Sequence, residues 1–163
     1  RRFHPARRVI VAPYIDTGTG TVLFLCSRRP RGKNPDSVRI IEGVRGNVPM
    51  QMVLTIRFGY GKLVPWVRKH GGGLEAIGGP DALILRTPIK TRGENLTTVA
   101  EFSVAKGDRV PFVLTWFPSH EQPPNTVDPE KALRETEQHW RARPDRCEHP
   151  GQWPEEWHRS LIT

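Results

Sequence analysis

Between residues 50 and 58 the side chains alternate without a break. Met50, Met52, Leu54, Ile56 and Phe58 fall on one side, and Gln51, Val53, Thr55 and Arg57 on the other. A period of two describes an extended strand that buries one face, not a helix. Residues 8–15, 20–26, 37–45, 63–69, 73–78, 82–87, 97–105 and 110–117 read as further strands. Each is rich in Val, Ile, Leu, Phe, Thr or Trp and is bounded by turn formers.

The punctuation between them is that of hairpins. Thr17-Gly18-Thr19-Gly20, Gly59-Tyr60-Gly61, Gly71-Gly72-Gly73, Gly78-Gly79-Pro80-Asp81 and Ala105-Lys106-Gly107-Asp108 each supply a tight reversal. Short strands at this spacing predict a mainly β fold, an antiparallel β-sandwich. The pattern changes after residue 117. Asp128-Pro129 reads as an N-cap with proline in the first helical position, and Glu130 favours the positive end of the helix dipole. Ala132, Leu133, Thr136 and Trp140 form a narrow stripe, and the helix is expected to stop before Pro144. A second helix is expected from about Pro154 through Trp157 and Leu161. It ends without a C-cap, which predicts truncation. One or two C-terminal helices thus accompany the sandwich.

Composition excludes several classes. No apolar run reaches the roughly 18 residues of a membrane span, and no signal peptide opens the chain. Twenty-five Lys and Arg against 17 Asp and Glu leave a net charge of +8. Clusters such as Arg1-Arg2, Arg7-Arg8 and Arg28-Arg29-Pro30-Arg31 lack the interleaved aromatics of a nucleic-acid surface, so neither nucleic acid nor membrane is the expected partner. Cys26 and Cys147 read as free thiols in a reducing, cytoplasmic compartment. The chain begins at Arg1 rather than Met, the expected mark of a piece of something longer.

Chemical motifs are sparse. Glu155-Glu156 and the pair Glu135 and Glu137 cannot converge within one helix, so they read as solvated charges rather than a catalytic dyad. The six histidines lack zinc-ligand spacing, and Ser119-His120-Glu121 is consecutive where a triad is assembled from distant positions. The glycine runs lead into no helix and no Walker lysine follows, which leaves turns rather than a phosphate cradle. No catalytic residue, metal site or cofactor is expected. Tyr60 and Trp66 could stack on sugar rings if the sandwich exposes them, or pack in a core or between domains.

The runs VRIIEGVRGNVPMQM (38–52), RFGYGKLVPWVRK (57–69), GGLEAIGGPDALILRTP (72–88), LTTVAEFSVAKGDRVPFVLTWFPSHE (96–121) and VDPEKALRETEQHW (127–140) carry a more specific likeness. Residues 36–161 resemble the N-terminal region of bacterial glucoamylase- and trehalase-like proteins of glycoside hydrolase family 15. The resemblance implies a sandwich domain over residues 1–118 that lacks its first strands. It implies a loop and linker helix over 119–152, and the start of a truncated (α/α)6 catalytic barrel over 153–163. It further implies inverting hydrolysis of α-glucosidic bonds by two barrel glutamates that no residue here matches. The barrel of the same parent protein would be the partner and an α-glucoside the substrate, with a homo-oligomer possible. Tyr60, Trp66 and Arg68 are the residues expected nearest the sugar or the domain interface. The alternative is a stand-alone carbohydrate-binding or protein-interaction sandwich.

Overall fold

A computed structural model describes residues 14–27 and 34–141. The Arg-rich clusters before residue 32, most of the strand expected at 8–15, Cys147 and the second helix expected from Pro154 lie outside the described residues. Among the described residues nine strands and one helix follow in order: β1 (Tyr14–Thr17), β2 (Gly20–Ser27), β3 (Asp36–Leu54), β4 (Trp66–His70), β5 (Gly73–Gly78), β6 (Asp81–Arg86), β7 (Arg92–Glu94), β8 (Thr97–Ala105), β9 (Arg109–Pro118) and α1 (Pro129–Arg141). The chain is a mainly β, antiparallel sandwich.

β3 makes the two layers. Its first half, Asp36 to Glu42, pairs with β2 on one side and β9 on the other, in a sheet of order β1-β2-β3-β9-β6-β5-β4. Its second half, Asn47 to Leu54, pairs with β8, which pairs with β7. The crossing lies at Gly43 to Gly46, where Thr21 pairs with Arg45 but Val22 with Gly43. Val44 is the extra residue of a bulge, the device by which strands bend between packed sheets. The β8–β9 turn seals the crossing through hydrogen bonds from Gly43 N to Asp108 O (3.0 Å) and from Gly107 N to Gly43 O (2.9 Å). Sequence periodicity predicts two strands, at 37–45 and 50–58; the structure has one continuous 19-residue strand ending at Leu54. The alternation persists beyond it: Ile56 and Phe58 are buried although residues 55–57 are unpaired, and Phe58 bridges to Leu63.

Around β2, β3 and β9 both faces of the first sheet are covered. One packs on the second sheet, with Val22, Ile41 and Val110 meeting Val48 and Val104, and Ala76 meeting Ile56 and Phe58. The other carries Leu23, Val38, Ile40 and Val113 under Ala132 and Leu133 of α1. Ala82, Ile84 and Phe117 continue that face. This double burial is why β9 reads as an almost unbroken apolar run.

α1 starts as its residues dictate. Asp128 Oδ1 accepts from Glu130 N (2.9 Å) and Lys131 N (3.1 Å), satisfying two of the otherwise unpaired amides of the first turn. Arg109 then ties the helix to the sheet. Its Nε and Nη2 donate to the two carboxylate oxygens of Glu130 at 2.8 and 3.0 Å, and Nη1 donates to Glu42. Burial opposes the charge on Arg109, but these two carboxylates outweigh it and raise its pKa. Arg86 holds the connecting loop, donating from Nη2 to Pro124 O (2.7 Å).

The β7–β8 hairpin escapes sequence patterning because β7 is only three residues long and exposed. Its turn residues, Asn95 and Leu96, both have positive φ (48° and 59°). That is a two-residue turn of the I′ type, which favours Asn-Gly. A leucine in the left-handed region costs about 1–2 kcal/mol. Leu96→Gly is therefore expected to raise stability by about 0.5–1 kcal/mol, after the extra flexibility glycine gives the unfolded chain. Thermal melting should show a rise of roughly 1–4 °C. An unchanged or lower midpoint would show that Leu96 is not strained.

Candidate functional site

β4 is an edge strand whose five residues are all exposed, and β5 lies behind it. The reversal between them is set by Gly71 and Gly72, both at positive φ (56° and 73°). A two-residue turn at that point puts Arg68 opposite Glu75 and Trp66 opposite Ile77. Glu75 is a buried acid, 3% exposed, on the face shared with Ile84 and Phe117. An ionised carboxylate survives there only with partners. Arg68 Nε donates to Glu75 Oε2 at 2.6 Å, and His70 Nδ1 lies 3.2 Å from the same oxygen. The Arg68 guanidinium also stands over the Trp66 ring, 5.5 Å from its centroid, a cation–π contact.

The structure thus brings two of the three expected residues, Trp66 and Arg68, together. Tyr60 is fully exposed on a separate turn, with φ of 56° between Gly59 and Gly61. No contact between Tyr60 and Trp66 or Arg68 occurs among the described residues. Trp66, 66% exposed, is not a core residue. Trp116 is partly buried, and its indole N–H donates to Asp81 Oδ1 at 2.9 Å.

On the other face of β4 a cleft of about 360 Å³ opens between β4 and the β7–β8 hairpin. Leu54, Ile56, Val64, Val67 and Leu96 line it, with Glu94 its one acid. Glu94 is itself exposed beside Arg92, 3.6 Å away. Of the large exposed hydrophobic side chains, Val53, Tyr60, Leu63, Val64, Trp66, Val67 and Leu96 all belong to this end of the sandwich. Val64, Val67 and Leu96 of these line the cleft itself.

Glu75, Val67 and Leu96 are the residues that sequence reasoning leaves out. The signal for Glu75 was present: residues 68 and 75 are equidistant from a Gly71-Gly72 turn. No comparable signal exists for Leu96, whose neighbours across the cleft come from segments distant in sequence.

As chemistry, the site lacks paired acids free to act. Glu75 is held by Arg68, and Glu42 and Glu130 are both bound by Arg109 beside α1. No group of three or more His, Cys, Asp or Glu side chains gathers for a metal among the described residues. No described helix is long and apolar enough to cross a membrane.

No protein-family model matches the chain, and no curated protein matches it. Three chains among the solved structures do. One, described as "Putative kojibiose phosphorylase from human microbiome", superposes with a TM-score of 0.45 at 9% identity, covering 93% of this chain. The present chain spans 22% of that protein's length.

Proposed function

We propose that this chain is the non-catalytic β-sandwich region of an inverting α-glucosidic glycoside hydrolase of the trehalase or glucoamylase kind. In the whole enzyme an (α/α)6 barrel would supply one acid to protonate the glycosidic oxygen and one base to activate water. The sandwich serves as a platform for that barrel, and Trp66, Arg68 and Tyr60 lie toward the sugar or the interdomain contact. The ordered likeness of residues 36–161 to family 15 proteins supports this reading. The observation that carries the non-catalytic part is that three carboxylates are already bound by arginine, Glu75 by Arg68, and Glu42 and Glu130 by Arg109. A carboxylate whose oxygens are already taken up by a guanidinium is poorly placed to meet a glycosidic oxygen or an attacking water.

The pure 163-residue chain is expected to release no glucose from trehalose or maltooligosaccharides above a buffer blank. Sustained glucose release, abolished by Glu75→Gln, would overturn the reading. Exposure of Trp66 favours a second one, a stand-alone sugar-binding module. Calorimetric binding of maltooligosaccharide lost on Trp66→Ala would favour it over the platform.

A further inference from the structure

The free edge of β4 offers more than an exposed tryptophan. Among the described residues nothing pairs with it, and unpaired edges recruit strands unless they are guarded. β4 is guarded on one count only. Arg68, Lys69 and His70 follow one another along it, all exposed and basic in character. An antiparallel pair of two β4 strands centred on Arg68 would set Arg68 against its own copy, an unfavourable arrangement of like charges. The edge therefore discriminates against a second copy and favours acid.

The two sides of β4 differ in a way that specifies the incoming pattern. Trp66, Arg68 and His70 project to the Glu75 side, whereas Val67 and Lys69 project to the side of the cleft lined by Val64, Leu54 and Leu96. A strand added to this edge would send alternate residues to these two sides. One set would meet the exposed part of the Arg68 guanidinium, and the other the aliphatic cleft with Lys69 at its rim. Leu96 adds an independent sign. It is 70% exposed and held at a φ of 59°, so the fold maintains an aliphatic side chain at the cleft rim against its backbone preference.

We infer that the β4 edge and its cleft take up an extended segment of a partner protein that alternates acidic and aliphatic residues, as an added strand. Main-chain hydrogen bonds to β4 supply affinity, the acids meet the exposed part of the Arg68 guanidinium, and the aliphatic residues enter the cleft. Lys69 adds attraction at the rim.

The test uses the full chain and three fluorescein-labelled seven-residue peptides of defined sequence. The first alternates glutamate and valine, the second alternates lysine and valine, and the third is the first with alternate backbone amides N-methylated. Fluorescence anisotropy at low salt is expected to show saturable micromolar binding of the first alone. Lys69→Glu should weaken it about tenfold. Leu96→Gly should weaken it about fivefold or more by removing apolar contact. Because that variant is expected to be the more stable protein, unfolding cannot account for such a loss. No binding of the glutamate peptide up to millimolar concentration overturns the inference. So does equal binding of the lysine or N-methylated peptide, or indifference to Lys69→Glu. A dimer of the free chain that Lys69→Glu strengthens would assign the edge to a second copy instead.

Discussion

Gly43→Ala is expected to destabilise the chain by about 3 kcal/mol or more, at the upper end of what overpacking costs. Gly43 sits where β3 leaves one sheet for the other, and its amide and carbonyl are both bonded to the β8–β9 turn. A β-carbon there would meet the carbonyl oxygen of Ala105 far inside van der Waals distance and lie 2.7 Å from its carbonyl carbon. Both are backbone atoms, so no rotamer change relieves the clash. Relief requires parting β3 from the β8–β9 turn, which unseats the crossing that joins the layers. Melting should fall by roughly 6–12 °C. Gly18→Ala is the matched control, since nothing lies within 4 Å of its added β-carbon. A Gly43→Ala midpoint as close to the parent as that of Gly18→Ala would refute the account of the crossing.

Phe117→Ala is expected to cost about 3–5 kcal/mol. Phe117 is completely buried, and among the described residues it is the largest side chain below 2% exposure. It packs with Ala82 and Ile84 on the sheet face that continues toward α1. Alanine removes the ring and leaves a void lined by a paired β6–β9 backbone, which cannot collapse far. Urea unfolding should show a lower midpoint at unchanged slope, the sign of lost stability without a change in the surface exposed. Phe117→Leu, which keeps most of the volume, should cost about 1.5 kcal/mol or less. Equal losses for Leu and Ala would mean the position responds to shape rather than to a cavity.

Much of the secondary structure was legible locally. β5 and β8 fall on the expected residues, and α1 begins at the Asp128-Pro129 signal. Within residues 50–58 the expected inner set is the less exposed one, with Ile56 and Phe58 buried and Met50, Met52 and Leu54 half-buried. Each depends on near-neighbour chemistry: a period of two, glycine at a reversal, a capping carboxylate. The fusion of two expected strands into β3 was not legible. Residues 46–49 look like a break because Gly46, Asn47 and Pro49 are poor strand formers, yet pairing with β2 and β8 keeps the segment extended. β7 was missed because three exposed residues carry no periodic signal.

The candidate site divides in the same way. The proximity of Trp66 and Arg68 follows from residues two apart on a strand sharing a face. Arg68 opposite Glu75 follows from a turn placed midway between them. The remaining features required the layers to stack. Alternating side chains and turn residues determined that this chain makes antiparallel strands with an apolar face, because those preferences are settled within a few residues. The bend in β3 decided which sheets meet, the burial of both faces of the first sheet around β2, β3 and β9 decided that α1 packs as part of the body, and the stacking of β4 beside the β7–β8 hairpin decided where a cleft opens. Those outcomes depend on excluding water between segments tens of residues apart, and that exclusion has no counterpart in any short stretch of sequence.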